Sequence, residues 1–465
     1  MHEDSDWSTL SSLVNAAMER IKREHVSHAE AFYTSTRSIE VSIRNSEIFA
    51  EDKVTDAGVG FRVIVDKDKV GFASTNMLNE RAILEAGKKA MSIAKASPRM
   101  PNFALPDAKP RLRLNGLFDP EVAEMTVEEA VEVAERTVSA AESLDNRVTA
   151  KDGRVSYVAG WRGVKNTLGV ECEEQETRSY IFLWGNGRKN GEVTSGCSEF
   201  EFGRGARLHP EAVGENMARR VISLFEAGPV EGFEGPVIFG PEAVSYQLFD
   251  VLVGALISSN VISGRSVWNM ETGSKVASDK LTVIDNAVLK DGFASRSFDD
   301  EGFPSQVTVL VDHGRLESFL HHAATAKELK TKNTGNASRY PRSSDMVRMI
   351  TGIGYRTKPE VYPSNLVIKQ GDKSQEKLVS EMETGVLVEA MAGFAQQGSG
   401  LISAQLSRGF WVQHGEIQHA IKSGMVLGIA FDWLKQISAV GSDSKQFANS
   451  VVPSLKVENV KVVCA

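Results

Sequence analysis

The strongest constraint on the fold is a change of hydrophobic period that occurs twice in the first half of the chain. Apolar residues within 7–21 recur every three or four positions, which predicts an amphipathic helix. The apolar runs at residues 39–43, 58–65 and 70–73 predict antiparallel strands, and residues 78–96 predict a second helix. The first unit is therefore predicted to be a sheet between two helical segments.

The same order of elements returns after a proline-rich stretch at residues 98–110. Thr126 and Glu129 have the spacing of a capping box, which predicts a helix that starts here. Residues 147–202 follow as predicted strands, with turns expected at residues 151–153, 185–187 and 190–191. Residues 210–226 predict another helix, so the first half contains two α+β units.

The second half begins after glycine and proline residues at 228–236. A helix is predicted from Pro241, since proline is favoured in the first turn of a helix. Most later apolar runs are strand-like, and His414-Gly415 predicts a hairpin turn. The predicted fold class is α+β, with N-terminal helix–antiparallel-sheet units followed by a mainly β C-terminal domain. The predicted domains are residues 1–110, 111–230 and 231–465.

Composition excludes several classes of protein. The formal net charge of −8 argues against binding to the phosphates of nucleic acids, and 42% hydrophobic residues argue against disorder. The 3 cysteines form no CxxC pair, so a cytoplasmic protein without a disulfide framework is expected. The acidic N-terminus does not resemble a signal peptide, and the most apolar window, residues 246–257, is shorter than the ~20 residues of a membrane helix. We therefore expect no membrane association.

The usual catalytic motifs are absent from the sequence. No HExxH or Gly-x-Ser-x-Gly motif occurs, and His414 and His419 fall on either side of the predicted hairpin. Cys172 is flanked by glutamates at residues 171, 173 and 174, which would suppress the thiolate form. The residues alone therefore predict an α+β protein without an active site of a familiar type.

Two polar segments are candidates for a functional role. Asp299, Asp300 and Glu301 come directly before a Gly-x-Pro turn and a strand that begins near Gln306. A solvated acidic loop is the simpler interpretation, and the alternative is that these carboxylates orient a partner segment or line a cavity. Gly393 and Gly398 lie in a glycine-rich stretch, residues 393–400, that is either a flexible hairpin or a backbone-rich edge for a substrate.

These segments also carry a resemblance to a known family. The motifs that carry it are Gly58-x-Gly-Phe-Arg-Val63, Gly71-Phe-Ala-Ser-Thr-Asn76, Asp299-Asp-Glu-Gly-x-Pro-x-Gln306, Thr334-Gly-Asn-Ala-Ser-Arg339, Ser364-Asn-Leu366 and Gly371-Asp-Lys-Ser374. Through these motifs the chain resembles the TldD/PmbA family, also called the peptidase-modulator or TldD–TldE metalloprotease family, over nearly its whole length.

The resemblance also bears on metal binding. In the catalytic TldD-type subunit, an H-E-x-x-x-H helix and a later cysteine hold zinc, and the glutamate activates water. The histidine positions correspond here to Phe249 and Gly254, the glutamate position to Asp250, and the cysteine position falls near Glu389. Phenylalanine and glycine carry no donor atom. The resemblance therefore implies a PmbA/TldE-like chain without a metal or other cofactor, and zinc in a TldD-type partner.

The implied function is that of a non-catalytic subunit in a cytoplasmic metalloprotease that degrades or processes unfolded peptides. Such a subunit would form a heterodimer with a TldD-type paralogue, complete a shared cavity and position an extended peptide by strand addition. One alternative is a self-associating peptide- or client-binding protein that is independent of any protease. Another is a hydrolase that uses Asp250 and Glu389 with Mg²⁺ or Mn²⁺, since these ions prefer carboxylate ligands.

Overall fold

The fold is given by a computed structural model that describes residues 2–107, 113–269, 271–339 and 353–464. Helices and one large sheet form the first half of the chain, and the second half is mainly strands. The predicted α+β class is therefore confirmed. The predicted domain limits stay a prediction.

Both N-terminal units contribute to one seven-stranded sheet. Strand β1 pairs with β2 on one side and, from Glu30 opposite Asn166 to Arg44 opposite Asp152, with β4 on the other. The order is β3-β2-β1-β4-β5-β6, with β7 also on β5. The strands are β1 (His28–Arg44), β2 (Glu47–Val65), β3 (Lys69–Thr75), β4 (Val148–Asn166), β5 (Glu171–Lys189), β6 (Glu192–Val193) and β7 (Cys197–Gly203).

Helices cover one face of this sheet. Because side chains alternate along a strand, Ala31 and Tyr33 of β1 pack beneath the helices, whereas Glu30 and Phe32 face the C-terminal half. The predicted capping box of Thr126 and Glu129 is present. The helices of this half are α1 (His2–Lys22), α2 (Glu80–Ala96), α3 (Pro120–Glu124), α4 (Val127–Leu144) and α5 (Pro210–Ile222).

Two of the predicted turns are wrong. Residues 151–153 and 185–187 lie inside the long strands β4 and β5. A Cβ on Gly187 would be 2.5 Å from the ring of Phe225, and a Cβ on Gly185 would be 2.8 Å from Met217 Sδ. These two glycines therefore let the α5 segment approach the sheet closely rather than turn the chain. The turn at Asn190 and Gly191 is confirmed, with φ of 51° and 85°.

The C-terminal half contains a closed ring of strands. Strand β15 pairs with both β8 and β16, and the ring β15-β8-β22-β18-β16 closes on itself. The His414-Gly415 turn between β16 and β17 is confirmed. The strands of this sheet are β8 (Phe233–Phe239), β15 (Thr384–Ala395), β16 (Leu401–Gln413), β17 (Glu416–Ala420), β18 (Gly424–Ile429), β19 (Ile437–Val440) and β22 (Leu455–Cys464).

Smaller elements complete this half. A six-stranded sheet has the order β11-β10-β9-β14-β21-β20, and β12 pairs with β13. These strands are β9 (Val283–Asn286), β10 (Val307–Asp312), β11 (Arg315–Leu316), β12 (Ala337–Ser338), β13 (Glu360–Val361), β14 (Leu366–Ile368), β20 (Lys445–Phe447) and β21 (Ser450–Val452). The short helices α9 (Ala323–Glu328), α10 (Gln375–Ser380) and α11 (Ala430–Lys435) and a 3₁₀ turn (Ile353–Arg356) lie between them.

The predicted helix from Pro241 is present but interrupted. It consists of α6 (Pro241–Ala243), a π-helical turn (Val244–Leu248) and α7 (Phe249–Leu256), followed by α8 (Ser258–Ile262). We refer to residues 241–256 as the interrupted helix. Its core position beside β8 and β15 explains why most of its residues are buried. Within the described ranges, no helix is both long enough and apolar enough to cross a membrane.

Candidate functional site

The end of the interrupted helix packs against the glycine-rich turn at residues 393–400. A Cβ on Gly254 would be 2.8 Å from Gln397 Cβ and 3.2 Å from its carbonyl oxygen, both closer than ordinary packing allows. Gly393 and Gly398 lie in the same turn and are exposed. The structure thus brings Gly254 and the glycine-rich turn together, two features that the sequence analysis singled out separately.

Phe249 and Asp250, the other two candidate metal-site positions on the interrupted helix, have different environments. Phe249 is only 7% exposed and belongs to the main hydrophobic core of the C-terminal half. Asp250 lies at the helix surface, where partial burial of its carboxylate raises its pKa. Phe249 therefore has the role of a core residue.

Glu389 lies near the opposite end of the interrupted helix. The parallel pairing of β15 with β8 places it beside Gly240, where a Cβ would be 2.8 Å from Glu389 Oε2. Arg408 Nη2 donates a hydrogen bond of 3.2 Å to the same oxygen. At a rise of about 1.5 Å per residue, Gly240 and Gly254 are roughly 20 Å apart along the helix. Glu389 is thus distant from Gly254.

These four positions do not fit a zinc ion. Zinc requires nitrogen, sulfur or oxygen donors that converge within about 2.3 Å, whereas Phe249 and Gly254 have none and Glu389 is bound to Arg408. Among the residues that the structure describes, no group of three or more His, Cys, Asp or Glu side chains could hold a metal ion. Asp250 and Glu389 do not converge either, which speaks against a carboxylate-bound Mg²⁺ or Mn²⁺ shared between them.

The acidic turn at residues 299–301 is buried. Asp299, Asp300 and Glu301 each have 0% exposure, so the interpretation as a solvated loop is wrong. A buried carboxylate needs a charged or hydrogen-bonded partner. Those partners come from distant strands, which is why the local sequence resembles a surface loop.

Asp299 organises the turn itself. Its Oδ1 accepts hydrogen bonds from the backbone amides of Glu301 (3.0 Å) and Phe303 (2.9 Å), and its Oδ2 accepts one from Ala337 (3.0 Å). Burial, together with the neighbouring Glu301 carboxylate, raises the pKa of Asp299. Gly302 has a φ of 81°, a conformation that favours glycine at this point of the turn.

Asp300 and Glu301 connect the turn to the large sheet. Arg162 of β4 donates a 2.7 Å hydrogen bond to Asp300 Oδ1, and the backbone amide of Arg339 donates one of 2.7 Å to Oδ2. Glu301 Oε1 lies 2.8 Å from Arg62 Nη2 of β2. Burial alone would raise the pKa of Glu301, but the Arg62 guanidinium holds it below its ordinary value.

Further ion pairs complete this buried network. Glu30 of β1 lies 2.6 Å from Arg62 Nη2 and also binds the side chain of Arg339. Glu174 of β5 accepts a hydrogen bond from Arg162 and another, of 3.0 Å, from the backbone amide of Ser297. The carboxylates thus hold the chain's own segment at residues 337–339 against the sheet, and the alternative that they orient a partner segment stays a prediction.

The glycines of the first family motif have a steric role in the same region. A Cβ on Gly58 would be 2.2 Å from the ring of Tyr355, and a Cβ on Gly60 would be 2.2 Å from the Tyr355 carbonyl oxygen. Arg62 follows at the next position on the same face of β2. Gly58, Gly60 and Arg62 are spaced two residues apart, and this spacing in the motif predicts that they share one face of a strand. The predictions from sequence did not include this signal.

A cavity of about 410 Å³ lies beside the acidic turn. It is lined by Phe298, Gly302 and Pro304 from the turn and by buried Cys172 of β5, whereas the three acidic residues do not line it. Gln306 is exposed and donates a 3.1 Å hydrogen bond to the carbonyl oxygen of Asn333. The structure therefore separates Gln306 from the buried part of its motif.

Comparison with known families defines the class of protein. Profiles described as PmbA/TldA metallopeptidase domain 1, central domain and C-terminal domain match residues 29–94, 120–225 and 233–464. The chain therefore belongs to the PmbA/TldD metallopeptidase family.

Individual relatives agree with this assignment. Metalloprotease PmbA from Escherichia coli O157:H7 is 29% identical over 93% of this chain and 92% of its own length. A metalloprotease TldD homologue from Buchnera aphidicola subsp. Acyrthosiphon pisum is 23% identical over 96% of this chain and 94% of its own length. The crystal structure of TldE from Thermococcus kodakarensis has the same fold, with a TM-score of 0.87, 24% identity and coverage of 96% of this chain and 100% of that one.

Proposed function

We propose that this chain is a non-catalytic, PmbA/TldE-like subunit of a TldD–TldE-type metalloprotease that processes unfolded peptides. Zinc and the catalytic glutamate would be supplied by a TldD-type paralogue. The two chains would form a heterodimer in the cytoplasm, a compartment that suits three cysteines that form no disulfide within the described residues.

The observation that carries the proposal is the packing of Gln397 on Gly254. A metal ligand at residue 254 would need a side chain in the space that Gln397 and its backbone occupy. Phe249 fills the core at the other ligand position. The packing around these two positions, together with their lack of donor atoms, supports a structural rather than a catalytic role for this chain.

The experiment is a pairwise reconstitution. We would purify this chain alone, an H-E-x-x-x-H paralogue alone and the two together, and assay each on an unfolded peptide with and without a chelator. We expect cleavage only with both chains and loss of cleavage with the chelator. A paralogue whose H-E-x-x-x-H glutamate is replaced by glutamine controls for contaminating proteases.

Two outcomes would contradict the proposal. Chelator-sensitive cleavage by this chain alone would mean that its metal positions have been assigned wrongly. Absence of a complex together with peptide binding by a homodimer would favour the self-associating peptide- or client-binding protein instead.

A further inference from the structure

Half of strand β2 has an open edge. Strand β3 pairs only with residues 59–65 of β2. Residues 47–57 pair with β1 on one side, and no other strand in the described ranges pairs with them on the other side. This half of β2, residues 47–57, is called the open edge below.

The open edge has the properties of a strand that can accept a partner. Its register with β1 is regular from Ala50 onward, and residues 51–55 are all exposed. Phe49 and Val54 are large apolar side chains with 57% and 52% exposure. No proline occurs in it, and a regular edge with unpaired N–H and C=O groups is a template for a further strand.

Helix α4 runs alongside the open edge. Just before the start of α4, the carbonyl oxygen of Met125 accepts a 2.6 Å hydrogen bond from Arg37 of β1, which pairs with Thr55 of the open edge. The end of α4 leads into β4, where Asp152 pairs with Arg44 of β1, close to the start of β2. The helix and the open edge are therefore roughly parallel over most of their lengths.

Carboxylates outnumber lysines on the surface that the open edge shares with α4. Glu51 and Lys53 pair with Val41 and Ile39 of β1, which pack against α4, so both face this helix, whereas Asp52 faces the opposite side of the sheet. One side of α4 contacts α5, and away from it lie the exposed side chains of Glu128 and Glu135, which share a face because they are seven residues apart. Among the described residues, none of the carboxylates of Glu51, Glu128 and Glu135 has an ion-pair partner.

We propose that the open edge binds an extended client peptide that carries lysine or arginine, as an additional strand of the large sheet. The backbone of the peptide would pair with β2, and its cationic side chains would lie between the open edge and α4. The acidic surface disfavours a second copy of the same edge, because like charges would face each other, and it also disfavours nucleic acid. Binding here requires no protease partner, so it goes beyond the proposed function.

The first test uses a fluorescent peptide of alternating lysine and threonine with the full-length chain, followed by anisotropy. A second peptide with the same charge carries N-methyl groups on alternate backbone amides, which removes its ability to add as a strand. We expect the unmodified peptide to bind at low salt, to weaken as salt rises, and to bind at least tenfold more tightly than the N-methylated peptide.

The second test replaces carboxylates of the protein by lysines. Glu51→Lys with Glu135→Lys should weaken binding of the lysine peptide roughly tenfold, whereas Glu317→Lys with Asp372→Lys, the same charge change at exposed residues elsewhere, should change it less than twofold. Circular dichroism would confirm that both variants fold. Hydrogen exchange should show that the peptide protects residues 47–57.

The proposal is overturned if the N-methylated peptide binds as tightly as the unmodified one, or if both variant pairs weaken binding equally. It is also overturned if no binding occurs, or if protection falls outside residues 47–57. Formation of a homodimer that excludes the peptide, and that the edge variant disrupts, would assign the open edge to a second copy of the chain.

Discussion

Arg162 donates a 2.7 Å hydrogen bond to Asp300, and this pair joins the large N-terminal sheet to the C-terminal half in a region closed to water. The side chains are 3% and 0% exposed. Each charge has lost its hydration, so each depends on the other and on the adjacent hydrogen bonds. The contact between the two halves of the chain is therefore electrostatic at its centre.

We predict that Asp300→Ala lowers the free energy of unfolding by roughly 3–5 kcal/mol, because it leaves buried Arg162 with Glu174 as its one remaining carboxylate and the buried amide of Arg339 without its acceptor. Urea unfolding followed by circular dichroism measures the change. Glu317→Ala, at an exposed carboxylate, should change stability by less than about 0.5 kcal/mol. Equal effects of the two substitutions would show that the buried pair has no special importance.

The glycines of β2 give a second prediction. Gly60→Ala would place a Cβ 2.2 Å from a backbone oxygen of Tyr355, and we expect a loss of about 1–3 kcal/mol or more in unfolding free energy. The Gly58→Ala substitution conflicts with the ring of Tyr355, so Tyr355→Ala should partly rescue it. The same rescue should fail for Gly60→Ala, since the backbone stays in place. Urea denaturation of the two double mutants separates these cases.

The elements that depend on local sequence could be predicted. The capping box at Thr126 and Glu129 is built from residues three apart, and the helix from Pro241 follows from a local preference of proline. The hairpin at His414 likewise needs only its own two turn residues. In each case the residues that determine the structure are neighbours in the sequence.

The features that depend on distant residues could not be predicted. The burial of Asp300 is decided by Arg162 and Arg339, which come from other parts of the chain. The closed ring of strands depends on the pairing of β15 with both β8 and β16, which no local pattern specifies. Gly187 was predicted to lie in a turn because Phe225, the residue whose ring packs against it, is distant in sequence.

The contact between Gly254 and Gln397 gives a third prediction. We expect Gly254→Ala to destabilise the chain by about 1–3 kcal/mol, because a Cβ would lie 2.8 Å from Gln397 Cβ. In a Gln397→Gly background the cost should be smaller, although the Gln397 carbonyl oxygen remains 3.2 Å away. A double-mutant cycle of unfolding free energies measures this coupling. Strict additivity would mean that the turn does not restrict the helix at residue 254.

His321 gives a prediction for the dependence of stability on pH. Its side chain is 2% exposed, its Nδ1 has no hydrogen-bond partner among the described residues, and burial together with His322 lowers its pKa to about 4. In the unfolded chain a histidine has a pKa of about 6.5. Below that value the unfolded chain binds more protons than the folded chain, so stability is present above about pH 6.5 and is lost as the pH falls toward 4.

The expected loss from His321 is about 2 kcal/mol between pH 7.5 and pH 5. Asp285, whose pKa is raised to about 6 by burial, changes stability in the opposite direction over part of this range. The test therefore compares urea unfolding of His321→Leu with that of the unmodified chain at both pH values. The variant should lose less stability on acidification, whereas His313→Leu, at a side chain with 77% exposure, should behave like the unmodified chain. If His321→Leu keeps the full pH dependence, other groups cause it.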